Sequence, residues 1–372
     1  MIGWLTLLAA AVGCEEGPTP PDADVGRDGA VMAADAGPDA AALDGATIDA
    51  ATIDAATIDD AGRPDASGLD AGGALRPEPS AGCGAGRVTY GIGTGPGSIP
   101  HGGATRAFRV RVPPGYDGAA ALPLVLMFHG GGGSGRQLEE MSSRMNPVAD
   151  REGFVAVYPD GTGALVRTWN AGGCCGAAMR DAVDDVGFVR DLIEHLGEEL
   201  CLDQRRVYAS GMSNGAMLSH RLACELSDRI AAVAPVAGLE MSPACTPPRP
   251  VPVMQIHGTA DAHVPWEGGE GCGISGVAYP SVAATMEGWR GRNGCASATT
   301  RGREMGDGAC GGYDACAAGG ETIPGAIAGG GHSWPGGEPR AAVIDCPADG
   351  EQSTTFHASE QIWTFFARHA RP

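Results

Sequence analysis

The chain has 372 residues and a formal net charge of −20, and its 25 basic residues are all arginine. Between Glu15 and Ser80 there are 15 acidic residues and 3 arginines, so this stretch carries −12 of the charge and the rest of the chain −8. We expect no basic surface on such a chain, which argues against nucleic acid as a partner.

The first 14 residues resemble an export signal. An apolar run from Trp4 to Val12 ends in Gly13-Cys14 and is too short to span a bilayer as a stable helix. A small residue before a cysteine is typical of a bacterial lipobox, although Ala11 stands where leucine is usual and no basic residue precedes the run. We predict an exported cell-envelope lipoprotein anchored at Cys14, with secretion and an uncleaved anchor as alternatives. This lipid anchor is the only membrane contact we expect.

Residues 15–82 have the composition of a disordered linker. They are rich in Asp, Ala, Gly and Pro, and an Ala-Thr-Ile-Asp unit occurs three times from Ala46 onward. Such a stretch cannot bury enough apolar surface to offset the entropy lost on ordering. The folded domain is therefore predicted to occupy residues 83–372.

Within that domain, short apolar β-branched runs alternate with longer mixed segments, which indicates an α/β protein. Strands are predicted at residues 108–112, 124–128, 154–158, 206–210, 230–236 and 253–256. Helices are predicted at residues 185–200, 216–226, 281–292 and 358–369. Residues 124–128 are continuously apolar, which predicts a central strand buried on both faces of a mostly parallel sheet that has helices on both sides.

The pentapeptide Gly211 to Gly215 matches the G-x-S-x-G motif, and it lies between a predicted strand and a predicted helix. In that context the serine occupies a sharp turn that exposes its hydroxyl at the carboxyl edge of the sheet. We therefore predict an α/β-hydrolase fold with Ser213 as the nucleophile. The motif alone leaves open a glycine-rich turn with a capping serine.

A serine nucleophile needs a base and an orienting acid, which in this fold follow in the order Ser, Asp, His. Asp261 directly follows a predicted strand, and His332 lies in a glycine-rich loop before the last helix. We predict Asp261 as the acid and His332 as the base. His257 is a rival base, and Asp184 and Asp185 are rival acids, although their place at a helix start favours capping.

The glycine run after His129 follows the central strand, where α/β-hydrolases present one amide of the oxyanion hole. We predict this donor at Gly131 or Gly132 and the second at the backbone of Asn214. A phosphate-binding loop is the competing interpretation, but no Gly-Lys-Ser/Thr follows the run.

Twelve cysteines are more than a reducing cytosol favours, so we predict disulfides of unknown connectivity. A zinc site is the weaker interpretation, because no matched pair of CxxC motifs occurs. Cys174 and Cys175 are adjacent, and we expect partners elsewhere, such as Cys201 or Cys224, rather than a catalytic thiol. The glycine-rich segment 295–316 fits neither element pattern.

Several blocks in order resemble the polyhydroxybutyrate depolymerase family of esterases, which includes feruloyl and acetylxylan esterases. The resemblance covers about residues 87–368 and is carried by residues 126–132, 157–161, 169–170, 174–176, 183–188, 211–217, 234–238, 257–261 and 331–336. It implies Ser213, Asp261 and His332 as the triad. For such a mechanism we expect no metal or organic cofactor. It also implies ester substrates, in polyesters or in the phenolic and acetyl groups of plant polysaccharide.

No polymer-binding module is visible beyond the catalytic region, which favours soluble oligomers or feruloylated sugars as substrates. Trp169 and Trp334 are predicted to line an acyl or aromatic pocket, with core packing as the alternative. The leading hypothesis is an exported carboxylic ester hydrolase that forms an acyl-enzyme. A serine peptidase on the same fold and an inactive polysaccharide-binding protein are the competing hypotheses.

Overall fold

The computed structural model describes residues 75–84, 90–273, 275–297, 299–313, 315–338 and 346–372. The predicted lipobox with Cys14, and the predicted linker up to residue 74, lie outside these ranges. Within them, no helix is both long enough and apolar enough to cross a membrane.

Ten of the twelve described strands form one sheet, and the other two pair with each other. In chain order the strands are Gly93–His101 (β1), Ala104–Val112 (β2), Leu122–Phe128 (β3), Val155–Pro159 (β4), Leu202–Met212 (β5), Ala232–Val236 (β6), Val253–Gly258 (β7), Gly269–Glu270 (β8), Ala278–Tyr279 (β9), Thr299–Met305 (β10), Gly308–Tyr313 (β11) and Thr322–Ile327 (β12).

The helices cover the sheet and connect its strands. In chain order they are Gly135–Gln137 (α1), Met145–Glu152 (α2), Gly176–Arg180 (α3), Asp185–Glu199 (α4), Asn214–Glu225 (α5), Val282–Arg292 (α6) and Ala358–Phe366 (α7). A π-helical turn, Leu138–Ser142, directly follows α1.

The large sheet has the order β1-β2-β4-β3-β5-β6-β7-β12-β11-β10. The six strands from β4 to β12 in this order are parallel, and an antiparallel pair extends the sheet at each edge. All six predicted strands and all four predicted helices are present. The α/β-hydrolase fold predicted from the elbow motif is confirmed.

Two apolar cores lie on the two faces of the sheet, as the continuous apolar run in β3 predicts. Leu124 and Leu126 pack with residues of α4 and α5 on one face. Val125 and Met127 pack with residues of α2 and α7 on the other face. Because successive residues of a strand point to opposite faces, a strand covered on both sides must be apolar throughout.

The strands of the large sheet that the sequence does not predict are β1 at one edge and the inner strand β12 with the hairpin β11 and β10 at the other side. β1 contains three glycines and two prolines, which are poor strand formers. The glycine-rich segment from residue 295 onward contains the hairpin of β10 and β11, and a Cys295–Cys316 disulfide flanks it. Pairing with neighbouring strands overrides weak local propensity in both cases.

The folded domain begins before the predicted boundary at residue 83. The amide of Glu78 donates to Asp203 Oδ1 at 3.0 Å, and the hydroxyl of Ser80 donates to the Leu200 carbonyl at 2.7 Å. A Cys83–Cys201 disulfide then ties this segment to the start of β5. Residues 75–82 therefore belong to the domain, although their composition matches the preceding linker.

Disulfides are present, as the cysteine content predicts. Those between described residues join Cys83–Cys201, Cys174–Cys175, Cys224–Cys245, Cys272–Cys346 and Cys295–Cys316, and Cys310 is disulfide-bonded as well. The expectation that Cys174 and Cys175 pair with distant cysteines is wrong, because they are bonded to each other.

We expect the Cys83–Cys201 disulfide to stabilise the domain more than Cys295–Cys316, because it closes a longer loop. The two loops span 118 and 21 residues, for which chain entropy gives about 5 and about 3 kcal/mol. Urea unfolding of the two double Cys→Ser variants measures the difference. An equal loss of stability would contradict the entropic account.

Candidate active site

Ser213 occupies the turn between β5 and α5 in a conformation that L-residues rarely adopt. Its φ and ψ angles are 55° and −120°, and such a conformation persists only where the surroundings enforce it. The Ser213 amide donates to the Val236 carbonyl at 2.9 Å, which ties the turn to β6. The side chain is half-buried.

The glycines around Ser213 are required by close backbone approach. A Cβ atom at Gly211 or Gly215 would lie 2.5 or 2.1 Å from the Phe128 carbonyl oxygen. A Cβ atom at Gly238 would lie 2.2 Å from the Ser213 carbonyl oxygen. Because backbone cannot move aside as a side chain can, only glycine fits at these three positions.

The structure brings the predicted acid and base together. His332 Nδ1 lies 2.9 Å from Asp261 Oδ2, although the two residues are 71 positions apart in the chain. Asp261 Oδ1 accepts hydrogen bonds from the amides of His263 and Val264, at 2.9 and 2.8 Å. The acid is 4% exposed, and the side chain of His332 is 12% exposed.

Asp261 and His332 each shift the pKa of the other. Burial acts to raise the pKa of Asp261, but the charge of His332 and hydrogen bonds from His257 and His332 lower it below its ordinary value. Burial acts to lower the pKa of His332, but the charge and hydrogen bond of Asp261 and the charge of Asp349 raise it above its ordinary value. Asp261 is thus ionised at neutral pH.

Asp349 holds the backbone on both sides of the pair. Its carboxylate accepts from the His332 amide at 3.0 Å and from the Ala262 amide at 2.9 Å. The side chain of His263 stacks on His332 with ring centroids 4.7 Å apart. Its Nδ1 is buried without a hydrogen-bond partner among the described residues, and it lies 3.5 Å from Asp349 Oδ2.

The rival residues have other contacts. His257 is buried behind the acid, with Nε2 2.8 Å from the Val264 carbonyl oxygen and 3.3 Å from Asp261 Oδ2. Asp184 caps α4 by accepting from the Gly187 amide at 2.8 Å. Asp185 is buried in an ion pair with Arg106, and burial raises its pKa.

The loop after β3 is fixed by His129, which is buried. Its Nε2 accepts from the Gly161 amide at 2.9 Å, so its Nδ1 carries the proton and donates to the Gly130 carbonyl at 2.7 Å. Burial lowers the pKa of His129 to about 4, which keeps the ring neutral. Gly130 lies beside the nucleophile, since a Cβ atom there would be 3.4 Å from that of Ser213.

One of the predicted oxyanion-hole donors is occupied. The amide of Gly132 donates to the Arg167 carbonyl at 2.8 Å, so the prediction of Gly132 as a donor is wrong. The Gly130 carbonyl accepts from His129 and from the Gly133 amide. Since the C=O and N–H of a trans peptide point in opposite directions, the Gly131 N–H points away from both groups.

Both tryptophans predicted in the pocket are core residues instead. Trp169 is 0% exposed, and its backbone N–H and C=O are bound by the side-chain amide of Asn214 at 2.7 and 3.0 Å. Trp334 is 3% exposed, and its indole N–H donates to Ser359 Oγ at 3.2 Å. Trp169 also donates from its indole to the His129 carbonyl at 3.0 Å, so it supports the start of the loop after β3.

Comparison with known proteins assigns the chain to a family. A family model described as Esterase PHB depolymerase matches residues 106–264, which include Ser213 and Asp261 but not His332. NocK of Nocardia uniformis subsp. tsuyamanensis, which is named as an esterase, is 34% identical over 256 residues, covering 63% of this chain and 72% of that protein. The chain belongs to the PHB depolymerase family of esterases.

Another relative in this comparison is a feruloyl esterase. Feruloyl esterase B of Piromyces equi is 32% identical over 232 residues, and the alignment covers 60% of this chain and 42% of that protein. The chain therefore aligns with less than half of that relative. Among solved structures, the acetyl xylan esterase from Aspergillus awamori matches 64% of this chain and 94% of its own, with 14% identity and a TM-score of 0.47.

An apolar cluster that the sequence does not predict lies beside Ser213 and Asp261 of this PHB depolymerase family member. Its buried members are Ala171, Cys174, Cys175, Met217, Leu239, Val264, Tyr279, Val282 and Met286. The half-buried residues packed on it are Met241, Trp266 and Val277. Trp266 lies five residues beyond Asp261. In the sequence, this short separation is the only signal that places Trp266 near the site.

Asp349→Asn is expected to move the acidic limb of the activity profile to lower pH. The charge of Asp349 raises the pKa of His332, and His332 must be neutral to accept a proton. Without that charge the histidine is deprotonated at lower pH. Profiles of kcat/KM against pH measure the shift, with Asp150→Asn as the control because Asp150 pairs with Arg111 on another part of the sheet. A shift to higher pH, or none, would contradict the electrostatic account.

Proposed function

We propose that this chain is an exported carboxylic ester hydrolase that acts through a Ser-His-Asp acyl-enzyme mechanism. Ser213 is the nucleophile, His332 the base and Asp261 the orienting acid. The observation that carries the proposal is a strained serine at the end of β5 together with a buried Asp261–His332 pair. Family membership supports the same assignment.

In this mechanism, Ser213 Oγ attacks the ester carbonyl carbon as His332 Nε2 takes its proton. Asp261 fixes the ring by accepting from Nδ1, so the proton-accepting nitrogen is Nε2. The tetrahedral intermediate collapses and expels the alcohol, which receives the proton from His332. Water, activated by the same histidine, then hydrolyses the acyl-enzyme and regenerates Ser213.

We assign the oxyanion hole to the backbone amides of Gly131 and Asn214. The Gly131 N–H points away from the groups that hold the Gly130 carbonyl, and the Asn214 amide is at the N-terminus of α5. Donors fixed before the reaction stabilise developing negative charge without reorganisation. His129 and Trp169 are therefore supports of the hole rather than members of it.

The apolar cluster beside the triad is proposed to form the acyl pocket. The Met217 amide donates to the Ser213 carbonyl, and Leu239 directly follows Gly238, which abuts Ser213. The Val264 amide donates to Asp261 Oδ1. The cluster thus adjoins both the nucleophile and the acid, and its half-buried rim includes one indole ring, which suits an apolar or aromatic acyl group.

For substrates we propose feruloyl or acetyl esters of plant polysaccharide, or short polyester oligomers. The named activities of relatives support the first class: feruloyl esterase B, and a bifunctional acetylxylan esterase/xylanase of Neocallimastix patriciarum that is 33% identical over 159 residues. The family description supports the second.

Export is supported by the disulfides, which persist in oxidising compartments. The proposed organisation is a signal at residues 1–14, a linker and the esterase domain. Lipidation at Cys14 stays a prediction, because that residue lies outside the described part of the chain.

Ser213→Ala is expected to reduce ester turnover by at least about 1,000-fold, since the nucleophile is removed. The panel contains methyl ferulate, acetylated xylan, hydroxybutyrate oligomers and p-nitrophenyl esters, and the preferred member defines the substrate class. Ser219→Ala, a buried serine on the same helix, is the matched control.

Unchanged turnover in Ser213→Ala would overturn the mechanism. Cleavage of peptide amides in place of esters would favour a peptidase. Glycan binding without fluorophosphonate labelling of Ser213 would favour an inactive binding protein.

Trp266→Ala is expected to lower kcat/KM for methyl ferulate about tenfold more than for p-nitrophenyl acetate, because apolar contact with a larger acyl group is lost. Trp266→Phe keeps an aromatic ring and should retain most of the preference. Equal losses on both esters in Trp266→Ala would show that the indole does not contact the acyl group.

A further inference from the structure

A continuous chain of buried polar side chains lies behind Asp261 and takes no part in the proposed mechanism. It runs from Trp289 on α6 through His220 on α5 to Gln255 and His257 on β7. Each of these side chains is at most 1% exposed. Buried polar groups must be hydrogen-bonded, and their tautomers are set by their partners.

The indole of Trp289 fixes the donor-to-acceptor direction of this chain of hydrogen bonds. Trp289 Nε1 lies 3.0 Å from His220 Nδ1, and an indole N–H only donates. Burial lowers the pKa of His220 to about 4, so the ring is neutral and its proton is on Nε2. That nitrogen lies 3.0 Å from Gln255 Oε1, which accepts.

The amide of Gln255 continues the chain in the same direction. Its Nε2 donates to the Gly238 carbonyl at 3.1 Å and to His257 Nδ1 at 3.2 Å. His257 therefore has its proton on Nε2, which lies 2.8 Å from the Val264 carbonyl oxygen and 3.3 Å from Asp261 Oδ2.

The backbone carbonyl groups of Gly238 and Val264 exclude the opposite donor-to-acceptor direction. A flipped Gln255 amide would place its oxygen against the Gly238 carbonyl. A proton on Nδ1 of His257 would leave its Nε2 lone pair facing two acceptors, the Val264 carbonyl and Asp261 Oδ2. Both arrangements leave buried acceptors facing each other without a donor, so each of these groups loses its hydration without gaining a hydrogen bond.

We propose that His257 is a positioning residue for catalysis, and that the directed chain Trp289–His220–Gln255–His257 holds its Nε2–H against Asp261 Oδ2. This inference rests on the proposed function, since it assigns Asp261 and His332 as acid and base. It deepens that assignment by naming what fixes the acid from behind.

This chain of hydrogen bonds contacts both the Asp261 carboxylate and the turn at Ser213. Asp261 Oδ2 has His332 on one side and His257 on the other, so the carboxylate cannot rotate toward another donor. Gln255 also holds the Gly238 carbonyl, and Gly238 abuts the Ser213 carbonyl. One side chain therefore fixes both the acid and the turn that presents the nucleophile.

The test compares His257→Leu, His257→Gln and Trp289→Phe with the unaltered full-length chain, using p-nitrophenyl acetate. His257→Leu removes the donor and is expected to lower kcat about 10- to 100-fold with KM nearly unchanged. His257→Gln restores a donor near the same place and should recover most of the loss. Trp289→Phe removes only the first N–H and should lower kcat about threefold to tenfold, the effect of one hydrogen bond.

Trp363→Phe is the matched control, because it removes an indole N–H that donates to Glu152 at 3.1 Å on the opposite face of the sheet. Unfolding temperatures of all variants, and the rate of fluorophosphonate labelling of Ser213, are measured together. Slower labelling in His257→Leu with recovery in His257→Gln supports the proposal. Wild-type kcat in His257→Leu, equal losses in His257→Leu and His257→Gln, or equal effects of Trp289→Phe and Trp363→Phe would overturn it.

The proposed function fails separately from this inference. Full turnover in Ser213→Ala would contradict the proposed Ser-His-Asp mechanism. Loss of turnover in Ser213→Ala together with unaffected His257 variants would contradict only the proposed positioning role of His257. Where His257→Leu does not fold, the comparison of His257→Gln and Trp289→Phe with Trp363→Phe decides the outcome.

Discussion

The proposed site depends on how closely the Ser213 turn packs on the end of β3. Gly211 and Gly215 both lie against the carbonyl oxygen of Phe128, at distances that leave no room for a side chain. This contact holds Ser213 at its unfavourable φ angle and places it beside Gly130, the first glycine of the loop after β3. The strain at one residue is thus balanced by the packing of two parallel strands.

Asp261 and His332, the proposed acid and base, are held by a second set of contacts, which come from separate loops. Asp261 Oδ1 is saturated by two backbone amides of its own loop, so Oδ2 is the oxygen that meets His332. Asp349 accepts from the backbone beside both residues. The Cys272–Cys346 disulfide joins the segment between β8 and β9 to the segment that carries Asp349. Covalent and polar contacts therefore act together on these loops.

Features with a local signature are predicted from the sequence, and features set by distant contacts are not. The elbow, the strand before it and the Asp261 and His332 loops follow from motif and order, and the structure brings Asp261 and His332 together. The burial of Trp169 depends on the Asn214 amide, 45 residues away, which no local pattern reveals. The occupied Gly132 amide likewise depends on a loop residue, Arg167. The edge strands form despite weak propensity because the sheet supplies their partners.

The first described residues of the domain lie far from Ser213 along β5. The segment around Ser80 and Cys83 is fastened near Leu202, the first residue of β5, and Ser213 follows its last residue. An eleven-residue strand is about 33 Å long, so the chain joins the domain at the opposite end of the sheet from the active site. Residues 75–84 therefore leave the Ser213 end of β5 uncovered, and an ester bound there need not displace them.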